Sequence, residues 1–244
     1  MTSKRVMLMS NSTCHGLTYL EHCLDDIANF LDNTVSRILF VPFAFVPEQG
    51  REQEACDTYA EKPRGAFAKI GIAVDPLHRY PDPRAAVQRA QAIFIGGGNT
   101  HYLLSRLYSL NLIDAIKEKV AAGCPVMGAS AGTIVLCPTI KTTNDMPIVH
   151  VPDFTAIRAV PFQINAHYLD PDTNSTHQGE TRQERIQEFL RLNDVPVLGL
   201  REGAWLRIEG NSMTLKGATG ARLFRRADVP VEHKSGADLS FLID

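Results

Sequence analysis

Short runs that are apolar at every position recur along this chain with helix-patterned segments between them, an alternation that few folds accommodate. The runs lie at residues 6–9, 38–41, 72–74, 92–95 and 125–128. Helical spacing or composition fills 17–31, 49–70, 83–90, 102–107 and 112–122. A strand that is apolar on both sides is buried on both sides, which is the condition of a parallel sheet covered by helices above and below. The predicted fold is therefore α/β, with three α/β/α layers around a mostly parallel sheet. Past residue 145 the pattern is less regular, with a helix expected over 180–192, a strand over 195–200, a hairpin over 204–215 turning at Glu209-Gly210-Asn211, and a strand over 221–224. With no internal repeat, linker or low-complexity tract, residues 1–244 read as one domain.

Composition narrows the function classes. A net charge of −2 and a pI near 6.4 lack the basic face of a nucleic-acid binder, and the arginines of 222–226 read as a solvated strand edge. Neither a signal-peptide pattern nor a stretch of about 20 apolar residues is present. The five cysteines are scattered, without the paired spacing of a zinc site or disulfide framework, which points to a reduced, cytoplasmic setting and to no metal or other cofactor. Cys137 reads as a core residue.

In open α/β sheets, sites form beyond the carboxyl ends of the strands, and two small-residue turns fall there. The turn Gly128-Ala129-Ser130-Ala131-Gly132 follows one apolar strand and precedes a helical stretch. This is the setting of a nucleophile elbow, in which a tight turn lifts a serine hydroxyl into the cleft and the following helix adds its positive end. By itself the five-residue pattern is equally compatible with a simple strand-to-helix turn. The run Gly96-Gly97-Gly98-Asn99-Thr100 follows another strand and offers close backbone approach. Gly98 N–H and Ala131 N–H are the candidate oxyanion donors.

A serine nucleophile needs a base and an orienting carboxylate. Of eight histidines, His167, closing a short apolar stretch, is the first choice for the base, with His15 as its rival. Asp145, in a turn after the serine helix, is the first choice for the acid, although an Asx-turn would equally explain it; Glu202, after a buried strand, competes. Arg182 could fork onto a substrate carboxylate, while Thr181 and Glu184 around it have the spacing of a capping box.

With Gly128-Ala129-Ser130-Ala131-Gly132, the string Cys137 to Val149 including Asn144-Asp145-Met146-Pro147, then Gln163 to His167, Gly179 to Arg182, and Glu202 to Trp205 in this order, the chain resembles the peptidase E, or α-aspartyl dipeptidase, family. The resemblance runs from Met9 to about Trp205. It implies a fold akin to class I glutamine amidotransferases, flavodoxin-like, and serine-type hydrolysis of dipeptides with an N-terminal aspartate. It further implies Ser130 as nucleophile, His167 as base, Asp145 as acid, and Gly98 and Ala131 as oxyanion donors, with Arg182 and Glu202 in the site or in substrate recognition. The expected partner is a small acidic dipeptide, with no nucleic acid or membrane, and the protein a monomer or homodimer. Residues 45–64 match weakly and are expected to form a flap; the tail past Ala227 has no match. Rival readings are another elbow-serine hydrolase, either a cyanophycinase-like peptidase or an esterase, and a non-catalytic metabolite-binding module.

Overall fold

A computed structural model describes residues 3–172, 174, 176 and 178–243, leaving aside the side chain of residue 33. In chain order the elements are β1 (Arg5–Met9), α1 (Leu24–Leu31), β2 (Arg37–Val41), α2 (Glu52–Ala68), β3 (Ala73–Pro76), α3 (Pro83–Arg89), β4 (Ile93–Ile95), α4 (Thr100–Ser109), α5 (Ile113–Ala121), β5 (Val126–Ala129), α6 (Ala131–Ile134), β6 (Gln163–Ala166), α7 (Arg182–Leu192), β7 (Val197–Leu200), β8 (Ala204–Glu209), β9 (Ser212–Gly217), β10 (Ala221–Phe224) and β11 (Val231–His233).

The apolar runs form a sheet ordered β3-β2-β4-β5-β1-β8-β9. Its first five strands are mutually parallel, and β8 and β9 extend it as an antiparallel hairpin on β1. Alternation along the strands sorts their side chains onto two faces. Val6, Leu8, Val41, Ile95 and Val126 pack toward α3, α4 and α5, while Met7, Met9, Phe40, Phe94 and Met127 pack toward α1 and α2. Those two buried clusters are the reason the strands carry no polar face, and they give the expected three layers.

The structure adds a second sheet that the sequence pattern does not separate from the first, ordered β11-β10-β7-β6, with β6 and β7 parallel. Its Ile164, Ala166, Leu198 and Leu200 join the same buried cluster as β1 and β5. The tail past Ala227 contributes β11 and the buried Leu239 and Leu242. Strand β10 pairs on both sides, so Arg222 lies within a sheet and not at its edge. Helix α1 begins at Leu24, seven residues later than periodicity suggests, after a 3-10 turn over Glu21–Cys23.

Helix α6 is a single turn. Leu136 and Cys137 donate to the carbonyls three residues back, at Thr133 and Ile134, and Pro138 has no N–H with which to continue. Its contribution as a helix dipole is correspondingly small, so the elbow rests on packing. A Cβ on Gly132 would lie 2.0 Å from the Ile95 carbonyl oxygen of β4. We therefore expect Gly132→Ala to destabilise the fold by about 3 kcal/mol, lowering Tm by about 6–12 °C, as differential scanning calorimetry would show.

Candidate active site

Ser130 stands between β5 and α6 with φ 53° and ψ −116°, a backbone conformation sparsely populated for a residue with a side chain. It is held there by its own N–H, which donates to the Met9 carbonyl at the end of β1 (3.0 Å), and by Thr133, whose hydroxyl lies 2.7 Å from the carbonyls of both Met9 and Gly128. The turn thus presents Oγ beyond the carboxyl ends of the central strands, where the sheet topology places a site.

Oγ of Ser130 lies 2.8 Å from Nε2 of His167. His167 follows β6 and also has a positive φ of 53°; its N–H donates to Ser10 Oγ (2.9 Å), and the Ser10 hydroxyl donates to the Leu200 carbonyl (2.8 Å). Nδ1 of His167 lies 2.6 Å from Oε1 of Glu202. With Nδ1 protonated toward that carboxylate, Nε2 is left as the acceptor for the serine hydroxyl, the tautomer a general base requires. Both side chains are open to solvent, at 41% and 54% of their surface. Water therefore screens the contact, which leaves Glu202 placed to orient the imidazole and not to supply a large pairing energy.

The partner of His167 is fixed by pairing in the second sheet. Parallel register aligns Ala166 with Leu200, so the residues one and two beyond those strand ends fall side by side. Asn11 accepts from the Gly203 N–H (2.8 Å), and the Thr219 hydroxyl donates to the Glu202 carbonyl (2.7 Å), which steady the Glu202 turn.

Asp145 does not reach His167. Its Oδ2 accepts from the N–H and the hydroxyl of Thr100, at 2.8 and 2.5 Å. A carboxylate at the start of α4 is satisfied by the free amide and the positive end of that helix. Around it, Asn144 donates to the Ala166 carbonyl, Asn165 to the Thr142 carbonyl and to Asn144, and the Thr142 hydroxyl to the Ile164 carbonyl. Asn99 caps α4 through Tyr102 N–H and donates to the Met146 carbonyl. The Asn144-Asp145-Met146 segment is thus a brace between β6, which carries His167, and α4, which follows the glycine turn.

Gly97 packs directly on the nucleophile, since a Cβ there would lie 3.1 Å from Ser130 Cβ. Gly98 has φ +141°, and a Cβ on it would come within 2.2 Å of the Ala44 carbonyl oxygen, so only glycine fits. Neither the Gly98 N–H nor the Ala131 N–H, the first of α6, meets an acceptor among the described residues. Both N–H groups are therefore free to donate.

The cleft holds about 250 Å³ and is walled by Asn11, Tyr19, Phe45, Tyr59, Lys62, Gly97, Gly98, Ser130 and His167, among others. Residues 45–64 meet it through Phe45 and helix α2, which carries Pro63 in its interior. Arg182, the first residue of α7, is not in this wall; Thr181 and Glu184 form the capping box beside it. Burial and Arg185 lower the Arg182 pKa, with the Asp145 charge opposing them, and no carboxylate pairs with it among the described residues. His15 takes no part in the cleft wall. Cys137 is wholly buried, its thiol pushed up to about 12 by desolvation, which suits a core residue. Among the described residues, no three His, Cys, Asp or Glu side chains converge as a metal site would need. Ser10, Asn11, Tyr59 and Lys62 are not singled out by the sequence reading; the signals are the place of Ser10 and Asn11 at the end of an apolar strand and of Tyr59 and Lys62 within the 45–64 segment.

An elevated serine, a histidine on its hydroxyl, a carboxylate on that histidine and two free amides form the arrangement of a serine-type hydrolase on an α/β sheet. The chain belongs to Peptidase family S51, whose sequence profile matches residues 6–216. It is 52% identical over 239 residues to Peptidase E of Streptomyces coelicolor, covering 98% of this chain and 95% of that one. It is 44% identical over 246 aligned positions to the probable alpha-aspartyl dipeptidase of Drosophila melanogaster, covering 99% and 98%. Among solved structures, a peptidase from an acI-B1 Actinobacterium superposes with a TM-score of 0.70 at 17% identity, over 99% of this chain and 97% of that one. A putative peptidase E of Listeria monocytogenes gives 0.66 at 20%, over 89% and 100%. These likenesses establish the flavodoxin-like α/β fold.

Glu202→Gln should lower kcat by about 100-fold, because the amide no longer fixes the imidazole tautomer. Asp145→Asn should leave kcat within about threefold and cost roughly 0.3–1 kcal/mol of stability through the weakened α4 terminus. Steady-state kinetics and thermal melts of the two variants check both expectations; the reverse ranking would return the acid to Asp145.

Proposed function

We propose that the chain is a serine dipeptidase that hydrolyses dipeptides with an N-terminal aspartate through an acyl-enzyme on Ser130. The observation that carries this reading is the continuous contact from Ser130 Oγ to His167 to Glu202 in a chain of Peptidase family S51. The names of the relatives, peptidase E and probable alpha-aspartyl dipeptidase, support the substrate class.

In this mechanism Oγ attacks the peptide carbonyl while Nε2 of His167 takes its proton. Glu202 holds Nδ1–H and stabilises the imidazolium. The Gly98 and Ala131 N–H groups receive the developing oxyanion. His167 then protonates the departing amine, and water, activated by the same base, releases the aspartyl group.

An aspartyl dipeptide brings two carboxylates and one ammonium. Arg182, unpaired among the described residues, is our candidate for the aspartate side chain, and Lys62, in the cleft wall, for the terminal carboxylate. Glu202 is occupied by His167, so we assign it to the base and not to substrate. Residues of both sheets share one buried cluster, which supports the whole chain acting as one hydrolytic domain. The five cysteines are free and no helix among the described residues is long and apolar enough to cross a membrane; both fit a cytoplasmic enzyme.

The test is a panel of X-Leu dipeptides with Asp, Asn, Glu or Ala first. Asp-Leu should exceed the others by about 100-fold in kcat/KM, since Asn and Ala leave the cation without its carboxylate and Glu carries its carboxylate one methylene too far. Equal rates would remove the aspartyl preference. A fluorophosphonate probe should label the protein, and Ser130→Ala should abolish labelling without altering the melt; labelling that persists in that variant would remove Ser130 as nucleophile.

A further inference from the structure

We infer that Tyr59 is a positioning residue for catalysis, its phenol fixing the Gly97–Gly98 peptide so that the Gly98 N–H stays turned toward the carbonyl that Ser130 attacks. The inference rests on the oxyanion role proposed for Gly98. The Tyr59 hydroxyl donates to the Gly97 carbonyl at 2.9 Å. No cis peptide occurs among the described residues, and in a trans peptide the carbonyl and the following N–H point in opposite directions. Anchoring the Gly97 oxygen on α2 therefore aims the Gly98 N–H away from α2. That N–H has no other acceptor among the described residues, and Gly97 itself packs against Ser130.

A peptide between two glycines needs such an anchor. With no Cβ on either side, a rotation of the whole peptide plane meets little steric resistance, and it would replace a donor with a carbonyl oxygen at the oxyanion position. After Gly98, the chain is pinned by Asn99 N–H on the Ala44 carbonyl (2.8 Å); the Gly97 oxygen is held by Tyr59.

Tyr59 is suited to this task by rigidity. It is 6% exposed and packs edge-on against Phe40, with ring centroids 5.1 Å apart, and beside Phe45 at 5.7 Å. Ala60 and Phe67, on the same helix, are wholly buried. Burial also raises the Tyr59 pKa above its ordinary value, which favours the protonated, donating phenol.

The experiment is Tyr59→Phe in the full chain, which keeps the ring and removes the hydroxyl that donates to the Gly97 carbonyl. Four quantities are read beside the wild type: kcat and KM for Asp-Leu, the rate of fluorophosphonate labelling of Ser130, the affinity for free aspartate, and the thermal melt. We expect kcat and the labelling rate to fall together by about tenfold or more, with KM and aspartate affinity within about twofold. An unchanged kcat and labelling rate would overturn the inference. So would KM and aspartate affinity worsening by the same factor as kcat, the result of a merely structural residue. Labelling needs no aspartate recognition, so it separates the two readings: if wild type is labelled but does not cleave Asp-Leu, the substrate reading fails, and slowed labelling of the variant still supports Tyr59. If wild type is not labelled at all, both fail together.

Discussion

Three consecutive residues at the carboxyl end of β1 bond to Ser130, to His167 and to the residue after Glu202. The Met9 carbonyl accepts from Ser130 N–H, Ser10 Oγ accepts from His167 N–H, and Asn11 Oδ1 accepts from Gly203 N–H beside Glu202. Ser10 is wholly buried and Asn11 nearly so, so these bonds form out of competition with water, where a lost partner is most costly. β1 can serve all three because it pairs with β5 on one side and β8 on the other, while its end abuts the second sheet through the Ser10 bond to Leu200. Two residues with positive φ, Ser130 and His167, are held by this frame; strain of that kind persists only where its surroundings over-determine it.

The two sheets divide the proposed site. The first carries Ser130 and the glycine turn, both products of parallel strands ending at one level, with Ile95 beside Gly128 and Met9 beside Ala129. The second carries His167 and Glu202, again because two parallel strands, β6 and β7, end together. The Asn144-Asp145-Met146 segment fastens one half to the other. Asp145 sits at the start of α4, and Asn144 and Thr142 bond to β6. The segment thus ties the strand that carries His167 to the helix that follows the glycine turn.

Tyr59 and Lys62 extend the site onto α2. They lie three residues apart on one helical face, and both wall the cleft. The region around them, where the family resemblance is weakest, holds a fixed helix at the edge of the chemistry.

The sequence by itself determined the layers and pointed to the turn that carries Ser130, because strands apolar at every position and a small-residue turn between strand and helix are local patterns. It also ranked His167 ahead of His15, through its place after a short apolar run, and indicated the capping box at Thr181. The carboxylate behind His167 was decided only by tertiary structure. Asp145 and Glu202 are both turn residues near strand ends, and nothing local distinguishes them. Choosing between them requires knowing that β6 pairs with β7, and that the N-terminus of α4 takes the other acid. The same holds for Ser10, Asn11 and Tyr59, whose bonds span 157, 192 and 38 residues of chain. Local pattern reports what a segment becomes, whereas contacts between distant segments depend on strand order and register, which emerge only when the buried faces are packed together.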